Sequence, residues 1–541
     1  MCDLWKDDDL MRLMHKAVRF EDSKTYVDLP LKSAPSEVLQ AFKDENSKEQ
    51  HAASGQIQTQ QHFAAAGSDL EPHIPPDFSP DPVNFLPEIK DKAVRTWALA
   101  LHHLWPQLCR KVADAVLEHP ERHSLLALPG YFFIPGQRFR ELYYWDTYWV
   151  IKGLLVSQMP GSAETVVRNL IHLLDEYGHV PNGSRTYYLN RSQPPLLSSM
   201  VSLIFEARRD ITILAEAFEA LQTEYEYWTR PPKAVTLAGP NGKTMRLSRY
   251  YADTTRPRPE SYREDVATAE QLGGSEEEQG RLYRDIASAA ESGWDFSSRW
   301  MADGHTLATI QTTRVIPADL NAFLFKMETD LAHFAEILGD SRLQQKFRGA
   351  SDARGTAMDM LMWHDASACW KDLILERIPP PGAEEAAPVS AHQATHGVFA
   401  SSYIPLWAGV AAPDSERAIR CLNSLQTSDL IQRGGIAASL SETGQQWDGR
   451  NAWPPLQAML IEAAEAVSRA EMRAGPGGRL LAQAWLKTCF KAWQKHGQMF
   501  EKYDATTPGS PGGDGEYPVQ AGFGWTNGVA LALLNEYGWN P

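Results

Sequence analysis

The chain has little cysteine and no arrangement of it. Five cysteines, Cys2, Cys109, Cys369, Cys421 and Cys489, are scattered through 541 residues. Neither a CxxC pair nor a Cys/His ligand spacing occurs, which argues against a structural zinc module and gives no reason to expect a metal. The odd, sparse set favours a reducing compartment. Basic charge is also in deficit. With 52 Lys and Arg against 68 Asp and Glu the net charge is −16, so nucleic acid and anionic membrane surfaces are not expected as partners. No apolar run reaches the ~18 residues of a membrane-spanning helix. The first nine residues, Met1-Cys2-Asp3-Leu4-Trp5-Lys6-Asp7-Asp8-Asp9, are acidic and lack an apolar core, so they do not read as a secretory signal. The expectation is a cytoplasmic monomer, or a secreted protein if the N-terminus is truncated. Strand signals are few, and no repeat of fixed period is visible, which lowers the solenoid reading.

What the sequence does have is helical periodicity. Hydrophobic content of 43% with 22% charged residues is ordinary for a globular chain. Val94, Trp97, Leu101, Leu104 and Leu108 step by three and four, with Pro106 expected to kink or restart that helix. Val166, Leu170, Leu173, Leu174 and Tyr177 do the same, with Gly178 placed as the stop. Further helices are expected over roughly 196–227, 276–292, 327–348, 351–364, 415–425, 455–473, 479–496 and 526–536, and Ser275 with Glu278 reads as a capping box. One hairpin is expected, Ala234–Leu237 and Thr244–Leu247 turning at Asn241-Gly242. Helices joined by Gly/Pro-rich, Trp-containing loops point to an all-α fold of helical hairpins, closed in a double ring with function on the loops at one end. Periodicity alone admits an open solenoid equally well. Residues 1–22 read as a poorly ordered extension, and 51–75 and 378–392 as surface insertions. The Gly/Pro/Asp run 504–515, flanked by Glu501 and Glu516, reads as a lid.

The stretch Pro135 to Trp149 mixes rings, carboxylates and guanidiniums behind a Pro-Gly turn. Flat aromatic faces take the apolar faces of a sugar, and forked donors and acceptors take its hydroxyls. Similar clusters recur: Asn182-Gly183-Ser184-Arg185, then Asn190-Arg191-Ser192-Gln193, then Arg256-Pro257-Arg258-Pro259-Glu260, then Gln446-Trp447-Asp448. Arginines held between prolines are stiff, which suits hydroxyl recognition. The two Asn-x-Ser sequons fall inside these clusters and read as chance matches.

Glycoside hydrolysis usually needs two carboxyl groups of different proton affinity. Asp295 stands in Gly293-Trp294-Asp295-Phe296-Ser297, one glycine past the capping-box helix. An adjacent ring and a negative helix end both disfavour ionisation, the bias of a general acid, and Arg299 is placed to oppose it. A structural Asp capping the next turn fits the same local pattern. Glu501, in Phe500-Glu501-Lys502-Tyr503, and Glu516, in Gly515-Glu516-Tyr517, can each serve as the base, and spacing does not choose between them.

These clusters, in this order from about 130 to 530, resemble the signatures of trehalases, the inverting (α/α)6-barrel glycosidases. Ser23-Lys24-Thr25-Tyr26-Val27-Asp28-Leu29-Pro30 resembles the N-terminal segment of the eukaryotic type. The resemblance implies an (α/α)6 toroidal barrel over 23–541, with the hairpin as a small insertion. It implies hydrolysis of α,α-trehalose to two glucoses with inversion, and no metal or cofactor. It assigns the acid to Asp295 and the base to Glu501. Substrate contacts fall on Arg138, Trp145, Asp146, Asn182, Arg191, Gln193, Arg258, Glu260, Trp447, Asp448 and Glu516. Three departures from the family pattern stand out, Gln137 for a glycine, Arg450 for a proline, and Asp514 in the glycine run, and they bear on affinity and pH optimum. A related glucosidase, or a barrel that binds sugar without turnover, remains as the alternative.

Overall fold

The chain alternates between two kinds of helix. α1 (Lys92–His102) buries one stripe, Val94, Trp97, Ala98 and Leu101, and α2 (Asp146–Val156) is buried on almost every face. The alternation continues through α3 (Pro160–Tyr177), α4 (Leu197–Arg208) and α5 (Thr212–Thr229). After α6 (Glu276–Glu291) it resumes with α7 (Ala318–Ile337) and α8 (Ser341–Ala357). It finishes with α9 (Ile404–Trp407), α10 (Glu416–Thr427), α11 (Pro454–Ala470), α12 (Gly478–His496) and α13 (Gly524–Tyr537). The computed structural model describes residues 11, 12, 14, 20–46, 61–378, 387–471 and 477–540.

The helices buried all round form an inner ring. α2 packs on α4, α4 on α7, then α9, α11 and α13 follow, and α13 closes back on α2. Outside them lie α3, α5, α8, α10, α12 and α1, each packed against at least one inner helix. This is an (α/α)6 toroid. Closure depends on small residues where the first and last inner helices cross. A Cβ on Gly528 would stand 2.0 Å from the Trp149 carbonyl oxygen, and one on Gly153 would stand 2.6 Å from the Gly528 Cα. Two glycines let these backbones touch.

Local signals place most boundaries. Pro106 opens a separate short helix, Trp105–Leu108, Gly178 ends α3 at φ 72°, and Ser275 and Glu278 cap α6 reciprocally. Ala234–Ala238 pairs with Thr244–Ser248 across a turn at Pro240–Gly242. Other expectations change. The stretch 196–227 is two helices, broken at Arg209 in the left-handed region. The break expected near 350 lies at 338–340, where Gly339 takes φ 81° and the Asp340 side chain caps Leu343. α2 and the helix Tyr262–Leu272 were not anticipated. A helix buried on all sides shows no amphipathic period, and α2 is such a helix.

The expected insertions are partly woven into the fold. Residues 51–60 and 379–386 lie outside the described residues. Leu70–Pro72 pairs with Cys109–Val112, Ala391–Gln393 pairs with Leu373–Leu375, and buried Val389 bridges to Leu237. Of the extension 1–22, residues 1–10, 13 and 15–19 lie outside the described residues. Met11 and Met14 are buried, and with Tyr26, Val27 and Phe63 they pack against Tyr143, Tyr187, Tyr188 and Tyr262. Among the described residues no helix is long and apolar enough to cross a membrane.

Candidate active site

The connections that run from an outer into an inner helix gather at one end of the toroid. Each of them except the one before α9 contributes side chains to a single cavity. Arg138, Trp145 and Asp146 come from the connection into α2, and Asn182, Arg191 and Gln193 from the one into α4. Arg258, Glu260 and Asp295 come from the connection into α7, Trp447 from that into α11, and Glu501 and Glu516 from that into α13.

Asp295 is held on both sides by backbone contacts. Gly293, at φ 75°, lies so close to Trp145 that a Cβ would stand 2.7 Å from the ring. Trp294 stacks on Trp447 at 5.0 Å, the Trp447 N–H donates to the Phe296 carbonyl (3.0 Å), and the Gln446 amide donates to the Asp295 carbonyl (2.6 Å). Burial pushes the Asp295 carboxyl up to about 7, with Glu516 adding to the rise and Arg258 and Arg191 opposing it. Arg299 does not oppose it. Its guanidinium forks to Asp319 (2.7 Å) and Asp372 (2.6 and 2.9 Å) instead.

Glu501 accepts from the Tyr517 hydroxyl (2.8 Å), while its carbonyl accepts from the Trp525 indole (3.0 Å). Burial raises its carboxyl too, against Lys502, Tyr517 and Arg138, which favour the ionised form. Asp146 opens α2, where the helix N-terminus favours a carboxylate. Burial wins, and with Glu501 and Asp295 near, its carboxyl lies well above the usual range.

The guanidiniums around the cavity are fixed by carboxylates. Arg191 donates to Asn182 (2.9 Å) and Glu260 and lies over the Tyr188 ring. Arg258 forks onto Asp265 (2.7 Å) and reaches Glu516 (3.3 Å). Burial disfavours the Glu260 carboxylate, but the two arginines hold it below its ordinary pKa. The Trp145 N–H donates to the Gln193 amide oxygen (3.1 Å). Trp447 and Trp453 stack in parallel at 4.0 Å, with Trp525 edge-on to Trp453 and Trp145 tilted at 41° against Trp447. Such a box of rings and fixed forks offers flat faces and oriented hydroxyl partners to a saccharide.

Every candidate named from the sequence lines this cavity except Asp448. Asp448 is 1% exposed and accepts from Ser297, Ser298, Ser439 and Thr443. It therefore anchors the Asp295 loop from behind and does not face the cavity. Gln137 is exposed and turned away from the cavity, and Arg450 pairs with Asp504 (3.5 Å) outside it. The run 504–515, expected as a lid, is tied to neighbouring loops at its end. Gly513 and the Asn451 amide exchange hydrogen bonds, and the Gly515 N–H donates to the Gly444 carbonyl.

Some contributors were missed by sequence reasoning. Tyr517 stands beside Glu516 in the sequence, and it is the fold that turns Tyr517, Trp453 and Trp525 inward. Asp22 carried no signal at all. It grips Arg138 with both carboxylate oxygens (2.5 and 2.9 Å), so the N-terminal segment orients one wall of the site. Asn182, one of the two sequon positions, is 4% exposed, in keeping with a chance match.

Comparison with known proteins shows which family the chain resembles. The family model described as trehalase matches residues 18–538. A probable trehalase from Oryza sativa subsp. japonica is 43% identical over 531 residues, covering 96% of this chain and 92% of that protein. Trehalase from Homo sapiens is 39% identical over 538 residues, covering 98% and 88%. Among solved structures, neutral trehalase Nth1 from Saccharomyces cerevisiae superimposes with a TM-score of 0.58 at 26% identity, over 76% of this chain and 74% of that one.

Proposed function

The chain belongs to the trehalase family and is a trehalose-hydrolysing glycosidase, and we propose that it works with inversion, Asp295 as acid and Glu501 as base. Inverting hydrolysis is a single displacement. The acid gives its proton to the departing glycosidic oxygen while the base takes one from a water attacking the opposite face of the sugar. One carboxyl must therefore be protonated at the moment the other is not.

The observation that carries this reading is the difference between two carboxyls on one cavity. Asp295 accepts no side-chain hydrogen bond among the described residues and is raised to about 7 by burial, so it holds its proton near neutrality. Glu501 accepts from the Tyr517 hydroxyl and lies beside Lys502, both of which favour its charged form. Arg191, Arg258 and Glu260 are the fixed forks proposed to bind sugar hydroxyls, with the Trp447 and Trp453 indoles, stacked on each other, lining the cavity beside them. Glu516, tethered to Arg258, follows directly on the run 504–515, the flap.

Time-resolved proton NMR of trehalose cleavage tests the reading. Inversion predicts equal amounts of α- and β-glucose at first appearance, drifting to the equilibrium mixture. Formation of α-glucose alone would contradict inversion. The two carboxyls are expected roughly 6.5–9.5 Å apart in a substrate complex, leaving room for the water.

A further inference from the structure

Lys502 follows the proposed base and is fully buried. Its ammonium makes no salt bridge among the described residues. It donates instead to the Gln446 amide oxygen (3.1 Å) and the Asp514 carbonyl (3.1 Å), and lies 5.0 Å from the centre of the Trp453 ring. A buried ammonium solvated by two neutral oxygens and a ring is costly to keep charged. Burial accordingly lowers Lys502 to about 8, against the pull of Glu501, Asp514 and Asp295.

Its two oxygen partners connect it to the rest of the site. Gln446 passes the contact on, donating to the Asp295 carbonyl (2.6 Å). Asp514 belongs to the flap, and the Gly512 N–H returns a hydrogen bond to the Lys502 carbonyl (3.0 Å). One side chain thus joins the acid's loop, the flap and the residue next to the base.

The groups acting on Glu501 are Lys502, the Tyr517 hydroxyl, the Gln520 N–H and Arg138, with the Asp146 carboxyl across the cavity. Only Lys502 and Arg138 among them bring positive charge. Arg138 is already engaged by both oxygens of Asp22, so Lys502 is the cation left to act on the base.

We propose that Lys502 is a positioning residue for trehalose hydrolysis, its charge holding the Glu501 carboxylate ionised and its hydrogen bonds fastening the Asp295 loop and the flap to that base. This rests on Glu501 being the base, and the test separates the two claims. kcat/KM for trehalose is measured against pH for the wild-type chain, K502M, K502Q, K502R and E501Q, with folding checked by near-ultraviolet circular dichroism. Without the charge the acidic limb, which reports the base of the free enzyme, moves up by about one pH unit in K502M and K502Q. K502R leaves it in place. K502Q keeps a donor for the Asp514 carbonyl and is expected to retain more kcat than K502M, and it carries the same test if K502M does not fold. A lowered rate with an unmoved acidic limb in both neutral variants would overturn the proposal while leaving the base assignment intact. Full turnover by E501Q would overturn the base assignment itself.

Discussion

Asp295 and Arg299 are four residues apart in one loop, yet their surroundings are opposite. Arg299 is satisfied, its fork spanning Asp319 and Asp372, and Asp372 in turn caps the start of α7 by accepting from the Ala318 N–H (2.8 Å). Asp295 accepts no side-chain hydrogen bond among the described residues, and has a cavity in front of it. Both lie among carboxylates, and pairing is what separates a structural knot from the proposed acid. Glu224 completes the comparison. Burial raises it to about 8, with the Tyr144 hydroxyl on one oxygen and nothing on the other. It lies away from the Asp295 cavity, however, among helices α4 and α5. A raised carboxyl becomes a catalytic candidate only where substrate can reach it.

The largest expected effect is on the unpaired side. Asp295→Asn should lower kcat for trehalose by about 10²–10⁴-fold and leave thermal unfolding near that of the wild type. A comparable loss of stability would make Asp295 structural. On the paired side the pattern reverses. Arg299→Met strands two buried carboxylates and should destabilise the fold by about 3–5 kcal/mol, read as a fall in the unfolding midpoint in denaturant.

The loop that carries both residues was legible in the sequence, but its wiring was not. The Gly-Trp-Asp-Phe-Ser pattern and the capping-box helix before it singled out Asp295, which lines the cavity. The direction of Arg299 depends on Asp319 and Asp372, which lie 20 and 73 residues away, and no local rule reaches that far. Asp448 failed for a related reason. Its neighbour Trp447 faces the cavity, and adjacent residues on an irregular loop need not share a face. Outer helices such as α1, α3 and α10 showed their period because one side meets solvent, whereas α2 did not. Asp22 lay in a segment taken for a loose extension, and only the tertiary fold brings it to Arg138.

Asp448 sharpens the comparison between facing and supporting residues. Asp448→Asn keeps its size but disturbs the hydrogen bonds to Ser297 and Ser298. Since small misplacements of a catalytic group are costly, kcat should fall roughly tenfold to a hundredfold with KM little changed. A rise in KM alone would return Asp448 to direct substrate contact. The smallest effect is expected at Glu224. A carboxyl raised in the folded state stabilises fully below its unfolded value near 4.5 and loses that contribution as pH rises towards about 8. Glu224→Gln should therefore flatten the decline in stability over that window, with activity unchanged within about twofold.

The division of labour between Asp295 and Glu501 is best tested with a substrate whose leaving group needs no proton. Rates on α-glucosyl fluoride and on trehalose are compared for the wild type, Asp295→Asn and Glu501→Gln. The expected result is that Asp295→Asn keeps most of its rate on the fluoride, free of the alkaline fall near pH 7, and loses trehalose turnover, while Glu501→Gln loses both. Equal loss on the two substrates in Asp295→Asn would contradict its role as the proton donor.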